Sequence, residues 1–246
     1  RSHTRTHAHT HTRTHAHTIG LSHVVVKRRR RGPAIAQQAR TFDQVILADF
    51  SHAPAAQLTE KLQDFWPGGL RRTFFSDNGS TSVEVALKMV LQAQHNWGQT
   101  QRRRFVAFTG AYHGDTVGAM SVGERGVFNE PFWSLLFDCT ILPYDDAEAF
   151  EAYMDEHGET VAGVIMEPLV QGAAGMVFSS TEFLRRSAEA TRRAGALLIL
   201  DEVMTGWGRT GTMFACEQAA VVPDVIAASK GITGGTLPLG LTACTE

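Results

Sequence analysis

The stretch Leu197-Leu198-Ile199-Leu200-Asp201-Glu202-Val203-Met204-Thr205-Gly206-Trp207-Gly208-Arg209-Thr210-Gly211 decides how this chain is read. An apolar run of strand length, stopped by turn residues, fits a strand buried in a sheet. Asp201 ends that run, so its carboxylate stands at the rim of the sheet, where α/β folds place their chemistry. Adjacent side chains on a strand point to opposite sides, so Asp201 and Glu202 cannot both face one ligand. Further along, Ala228-Ser229-Lys230-Gly231-Ile232-Thr233-Gly234-Gly235 sets a lysine among small residues, which let another molecule come close to the backbone.

Taken singly, an Asp at a strand end caps a loop and a Lys before Gly ends a surface helix. Taken together, a buried acid and a lysine in a small-residue loop meet the needs of pyridoxal phosphate (PLP). The amine forms a Schiff base with the aldehyde, and the acid keeps the pyridine nitrogen protonated. A second cluster supports the pairing. Phe74-Phe75-Ser76-Asp77-Asn78-Gly79-Ser80-Thr81-Ser82-Val83-Glu84 reads as a short strand, a turn and a helix start. Thr81 and Glu84 have capping-box spacing. Gly79 and Ser80 then lie at a helix N-terminus, whose free N–H groups and dipole suit a phosphate. A third cluster, Phe105 to Thr116, runs a strand into a Gly-flanked turn that presents Tyr112 and His113, and an aromatic there could cover a flat ring. His113 next to Asp115 could serve acid–base chemistry. With no Cys or second His at ligand spacing, no metal is expected.

Helix signals fall at 55–65, 82–97, 147–157 and 181–194, and strand signals at 73–76, 104–109, 161–166, 196–200 and 225–228. Helices between apolar strands imply an α/β fold, with a mixed, mostly parallel sheet covered on both faces.

These motifs resemble the class III PLP-dependent aminotransferases across roughly Phe42 to Glu246. The likeness rests on Ser51-His52-Ala53-Pro54-Ala55, Ser76-Asp77-Asn78-Gly79-Ser80, Tyr112-His113-Gly114-Asp115-Thr116, Gly118-Ala119-Met120-Ser121 and Glu167-Pro168-Leu169-Val170-Gln171-Gly172. The Asp201 and Lys230 segments complete it. The resemblance implies the large domain of PLP-dependent transferase fold type I. It implies that Lys230 carries PLP and shuttles protons, and that Asp201 pairs with the pyridinium. Gly79 and Ser80 would hold the phosphate, while Tyr112 and Val203 would pack on the two ring faces. Tyr112, Asp115 and Arg209 would border the substrate, and Glu167 would be an acid just behind the cofactor. The Tyr112–Thr116 and Thr233-Gly234-Gly235-Thr236-Leu237-Pro238-Leu239 strings favour the branch that serves biotin biosynthesis. There the amino donor is S-adenosylmethionine, the acceptor is 7-keto-8-aminopelargonate and the enzyme is a homodimer. Ornithine, 4-aminobutyrate and other ω-amino-acid transaminases share all the PLP residues and remain the alternative.

Composition suits a globular enzyme, with 43% hydrophobic residues, 20% charged and a net charge of −2. Cys139, Cys216 and Cys244 are dispersed, which suits a reducing, cytoplasmic setting, with an organelle open for a eukaryotic source. No apolar run approaches the roughly 20 residues of a membrane span, and neither membrane nor nucleic acid is an expected partner. Residues 1–32 stand apart as a low-complexity His/Thr/Arg tail. It has no acidic residue and ends in Lys27-Arg28-Arg29-Arg30-Arg31, a composition expected to be disordered. Metal or nucleic-acid binding by this tail in a non-catalytic fragment is the reading from another class. A repeat this plain reads first as repetitive coding sequence or a mis-set frame. Residues 33–246 read as a partial PLP-binding large domain. Relatives of this family continue well beyond the position of Glu246, with a Gly-Thr segment that reaches the partner's phosphate and a substrate-binding Arg. The chain is therefore expected to be a fragment with an incomplete substrate pocket.

Overall fold

A computed structural model describes residues 28–42 and 44–246 of the chain. Nearly the whole of the tail lies outside the described residues, and with it the metal and nucleic-acid alternatives. Its last residues do not: helix α1 spans Arg28–Thr41, so residues 28–32 are helical rather than disordered. Arg and Ala are strong helix formers, and the Arg31 guanidinium is fixed by Thr236 Oγ1 at 2.7 Å.

The helices that follow are α2 (Ala53–Leu62), α3 (Gly79–Asn96), α4 (Val117–Ser121), α5 (Ala147–His157) and α6 (Thr181–Arg193). The strands are β1 (Arg72–Ser76), β2 (Arg104–Phe108), β3 (Cys139–Leu142), β4 (Val161–Met166), β5 (Val170–Gln171), β6 (Val177–Phe178), β7 (Leu197–Asp201), β8 (Val225–Ala228) and β9 (Gly240–Cys244). Seven of them form one sheet in the order β1-β9-β8-β7-β4-β2-β3, and β5 and β6 make a small hairpin. The pairings β8–β7, β7–β4, β4–β2 and β2–β3 are parallel, while β9 runs antiparallel to both β8 and β1. The sheet is thus mixed and mostly parallel, as the alternating helix and strand signals predict.

Two apolar layers cover the sheet. Val83, Ala86, Leu87 and Val90 of α3 pack on Phe105, Ala107, Ile199, Val225 and Ala227. On the opposite face, Phe150 and Met154 of α5 and Phe183 and Leu184 of α6 pack on Val106, Phe108, Leu198, Leu200 and Ile226. The strict alternation along β2, β7 and β8 follows from the two-residue period of a strand. Because Ile199 faces α3, Asp201 does too, and Glu202 is sent to the other side.

Three carbonyls, one just past α5, one at the start of β4 and one just past α6, are satisfied by a single side chain. The Arg102 guanidinium donates to Gly158 O (2.7 Å), Val161 O (3.0 Å) and Ala194 O (2.7 Å). Removing it strands helix-terminal acceptors. Arg102→Met is expected to lower the unfolding free energy by about 2–3 kcal/mol, measured by urea titration. Arg103→Met, whose side chain contacts only Thr100 O from an exposed position, is the control, expected within about 0.5 kcal/mol of the parent.

Candidate active site

The segments built around Gly79, Tyr112, Glu167, Asp201 and Lys230 leave the same edge of the sheet. Asn78-Gly79-Ser80 follows β1, the Thr109–Thr116 turn follows β2, Glu167 follows β4, Asp201 ends β7 and Ser229-Lys230 follows β8. The carboxyl ends of parallel strands are where an α/β sheet opens a crevice. Here that crevice is a cavity of about 800 Å³. Gly79, Ser80, Tyr112, Glu167, Asp201, Val203, Arg209 and Lys230 all line it. Asp115 does not. It lines a neighbouring hollow of about 1190 Å³, which shares Tyr112, His113 and Gly114 with the first. Asp115 reaches the first cavity through Tyr112, whose hydroxyl donates to Asp115 Oδ2 at 3.1 Å.

The centre of the site is a buried pair. His113 Nδ1 lies 2.7 Å from Asp201 Oδ2, with side-chain exposures of 0% and 5%. Asp201 Oδ1 accepts the Val203 N–H at 3.0 Å. His113 Nε2 is buried without a hydrogen-bond partner among the described residues. Local sequence points to His113 only as a member of a Gly-flanked turn. Its partner is 88 positions away, and no short-range signal joins them.

The helix beside Asp201 is capped differently from the sequence expectation. The cap is Asn78, not Thr81: Asn78 Oδ1 accepts Thr81 N (3.0 Å), and Thr81 Oγ1 accepts Asn78 N (2.9 Å). The box therefore starts three residues earlier and closes with a hydroxyl. Glu84 is released from capping, and its Oε1 accepts the Gly118 and Ala119 N–H groups of α4 at 2.6 and 3.2 Å. Gly79 and Ser80 become the first two residues of α3, as expected for an anion site. A methyl at Gly79 would come 2.7 Å from Val203 Cγ1, so only glycine leaves the cavity floor open there. The Ser80 hydroxyl accepts Asp115 N at 3.2 Å, which ties the helix start to the Tyr112 turn. The neighbouring Gly114 has φ +125° and a Cβ there would meet the Ser80 side chain, so glycine is required twice over.

Burial sets the protonation of the remaining acids. Glu167 is pushed up to about 7, first by desolvation and then by the charge of Asp201. Its Oε1 accepts Gly172 N at 3.2 Å, and Oε2 is buried without a hydrogen-bond partner among the described residues. Glu202, fully buried on the opposite side of the strand end, is also raised to about 7 by desolvation. It accepts from Thr205 Oγ1 (2.5 Å), Ala215 N (3.0 Å) and Cys216 N (2.9 Å). Tyr112 is raised above its ordinary value by burial and by its bond to Asp115. Burial lowers Arg209.

The chain belongs to the class-III aminotransferases: the family matches residues 19–246. Several similar proteins within it are of one kind. The adenosylmethionine-8-amino-7-oxononanoate aminotransferase of Synechococcus elongatus is 55% identical over 226 residues, covering 87% of this chain and 53% of that protein. Its counterpart from Geobacter sulfurreducens is 40% identical over 237 residues, with 89% and 52% covered. The crystal structure of the Methanocaldococcus jannaschii enzyme of the same name superposes with a TM-score of 0.85 at 36% identity, over 89% of this chain and 52% of that one. An amine transaminase from an uncultivated Pseudomonas species, solved in its PLP-bound internal aldimine form, gives a TM-score of 0.82 at 32% identity, with 87% and 53% covered. The chain spans about half the length of the curated relatives it matches. Among the described residues no helix is long and apolar enough to cross a membrane.

The opposite facing of Asp201 and Glu202 has a pH consequence. A carboxyl whose folded pKa is raised keeps its proton while the unfolded chain loses it. Its stabilising contribution is complete below the unfolded value of 4.5 and is lost as pH rises through about 7. Stability of the chain should therefore fall across that window. In Glu202→Gln the fall should be shallower, on top of a lower plateau because one of three donors loses its acceptor. Urea unfolding at a series of pH values reads both, and an unchanged slope would remove Glu202 as the titrating group.

Proposed function

We propose that this chain carries the cofactor-binding half of a PLP-dependent aminotransferase. The observation that carries the reading is convergence on one cavity. A lysine, a carboxylate backed by a buried histidine, and a helix N-terminus opened by Gly79 all face the same 800 Å³. The fit to PLP is specific in chemistry. The amine of Lys230 suits the aldehyde. Asp201, aligned by His113 and Val203 N–H, suits a protonated pyridine nitrogen. The free N–H groups of Gly79 and Ser80, with the Ser80 hydroxyl, suit a phosphate.

When bound, PLP supplies an electron sink for the carbon that bears the substrate amine. The chain's own residues supply the rest. Asp201 would hold a proton on the pyridine nitrogen. Lys230 Nζ would hold the group and move the proton at the amine-bearing carbon. Tyr112 and Val203, which line the same cavity, would confine the ring. Asp115 orients the Tyr112 hydroxyl, and Arg209 offers a cation at the substrate side. Glu167, held neutral at low pH, keeps a second negative charge away from Asp201. Residues 33–246 would thus form part of the large domain.

The donor is S-adenosylmethionine and the acceptor 7-keto-8-aminopelargonate, giving 7,8-diaminopelargonate for biotin in the cytoplasm. This substrate choice rests on the names of the relatives and on the strings at 112–116 and 233–239. A homodimer fits the surface: Phe128 is 96% exposed beside the equally apolar Val127 and Leu135, a patch that water penalises unless a partner covers it.

Borohydride reduction of the chain with PLP should place the pyridoxyl label on Lys230, and spread over Lys61 and Lys88 would defeat the assignment. In the chain completed to the length of its relatives, Asp201→Asn should retain PLP while reducing diaminopelargonate formation by roughly a hundredfold. An equal loss in Glu202→Gln at full cofactor content would show that the wrong acid has been assigned.

A further inference from the structure

Lys230 has a left-handed backbone, φ +33°, a conformation that costs an L-residue free energy unless its surroundings impose it. The residues on either side are held. Before it, the Ser229 hydroxyl donates to Leu239 O at 2.6 Å. After it, Gly231 lies flat on Trp207: a methyl at Gly231 would come 2.6 Å from both Cβ and Cδ1 of that residue. The indole cannot retreat. Its ring centre is 6.0 Å from that of Trp66 and 5.3 Å from that of Phe214, and Trp66 stacks on Phe214 at 5.2 Å. Phe214 is fully buried. Glu202 in turn anchors the loop that carries Trp207. Its carbonyl accepts Gly206 N at 2.9 Å, and its carboxylate holds Thr205, Ala215 and Cys216. Trp207 itself does not line the cavity, so any influence on the chemistry passes through Lys230.

We propose that Trp207 is a positioning residue for Lys230: the indole, backed by Trp66 and Phe214, presses on the Gly231 backbone and holds Lys230 in the left-handed turn that turns its amine to the cavity. This rests on Lys230 being the cofactor's lysine, and the test separates the two claims.

The first measurement needs no cofactor. Trp207 has φ +64°, so Trp207→Gly removes the side chain without straining the backbone. Melting is followed by circular dichroism for Gly231→Ala, Trp207→Gly and the double variant. Gly231→Ala should lower the midpoint by several degrees in the parent and change little in the Trp207→Gly background. Strictly additive losses would show that the contact does not carry strain and overturn the proposal. The second measurement is the distribution of borohydride-fixed pyridoxyl label. In folded Trp207→Gly, the share on Lys230 relative to Lys61 and Lys88 should fall roughly fivefold or more, whereas Trp207→Phe should retain most of it. Should Trp207→Gly not fold, Gly231→Ala carries this measurement, with the same loss expected. An unchanged share on Lys230 overturns the proposal while leaving the cofactor reading intact. Label missing from Lys230 in the unaltered chain overturns both, and the melting cycle then reports only whether the contact exists.

Discussion

The carboxylate of Asp201, at the end of a central parallel strand, is almost wholly buried, and the structure around it is arranged to satisfy it. His113 supplies one bond and the Val203 N–H the other. Breaking a buried pair of this kind costs about 3–5 kcal/mol because the remaining charge has nowhere to go. The turn after β2 therefore cannot drift from the end of β7. Tyr112 and Gly114 travel with His113, and Ser80 is bound to the same turn through Asp115 N. A single buried interaction thus sets the relation between three segments that are far apart in the chain.

The same turn is held from its other sides by groups that never enter the cavity. Glu124 accepts Gly110 N at 2.6 Å, Gln171 donates to Thr109 O at 2.9 Å, and Glu84 holds the start of α4. The two carboxylate bonds are of the charge-assisted kind, roughly twice as strong as neutral ones, which suits a turn that must keep Tyr112 in place while its ring stays half exposed. Glu84 also links α4 to α3, so the helix that would take the phosphate and the turn beside the substrate respond as one body.

On the far side of β7 the argument runs in the opposite sense. Glu202 is fully buried, lines neither of the two cavities described above, and meets three donors from the loop that follows. Two neighbouring acids therefore do different work: one keeps an open face toward a ligand, the other closes a loop on the core. The alternation of strand side chains makes that division, with no change in residue chemistry beyond one methylene.

Much of this was legible in the chain itself. The long helices and the central strands are written in apolar periodicity and end in clear caps and glycines, so α3, α5, α6, β2, β4, β7 and β8 fall within a few residues of where the patterns put them. Asp201, Gly79, Ser80 and Lys230, each in a locally telling setting, come to line one cavity. What local pattern did not carry needed neighbours. β3 is half-buried and β9 contains Gly, Thr and Ala, and both become strands because a sheet edge and two flanking strands recruit their backbone. The cap of α3 moved to Asn78 because Glu84 had a better use across the fold, on α4. The pairing of His113 with Asp201, the clamp of Trp207 on Gly231 and the elevated pKa of Glu167 are decided by burial and by contacts between distant segments. Sequence determined which residues could do this chemistry. Only the tertiary structure decided which of them meet, because desolvation and close approach are properties of the folded interior and not of any stretch of chain.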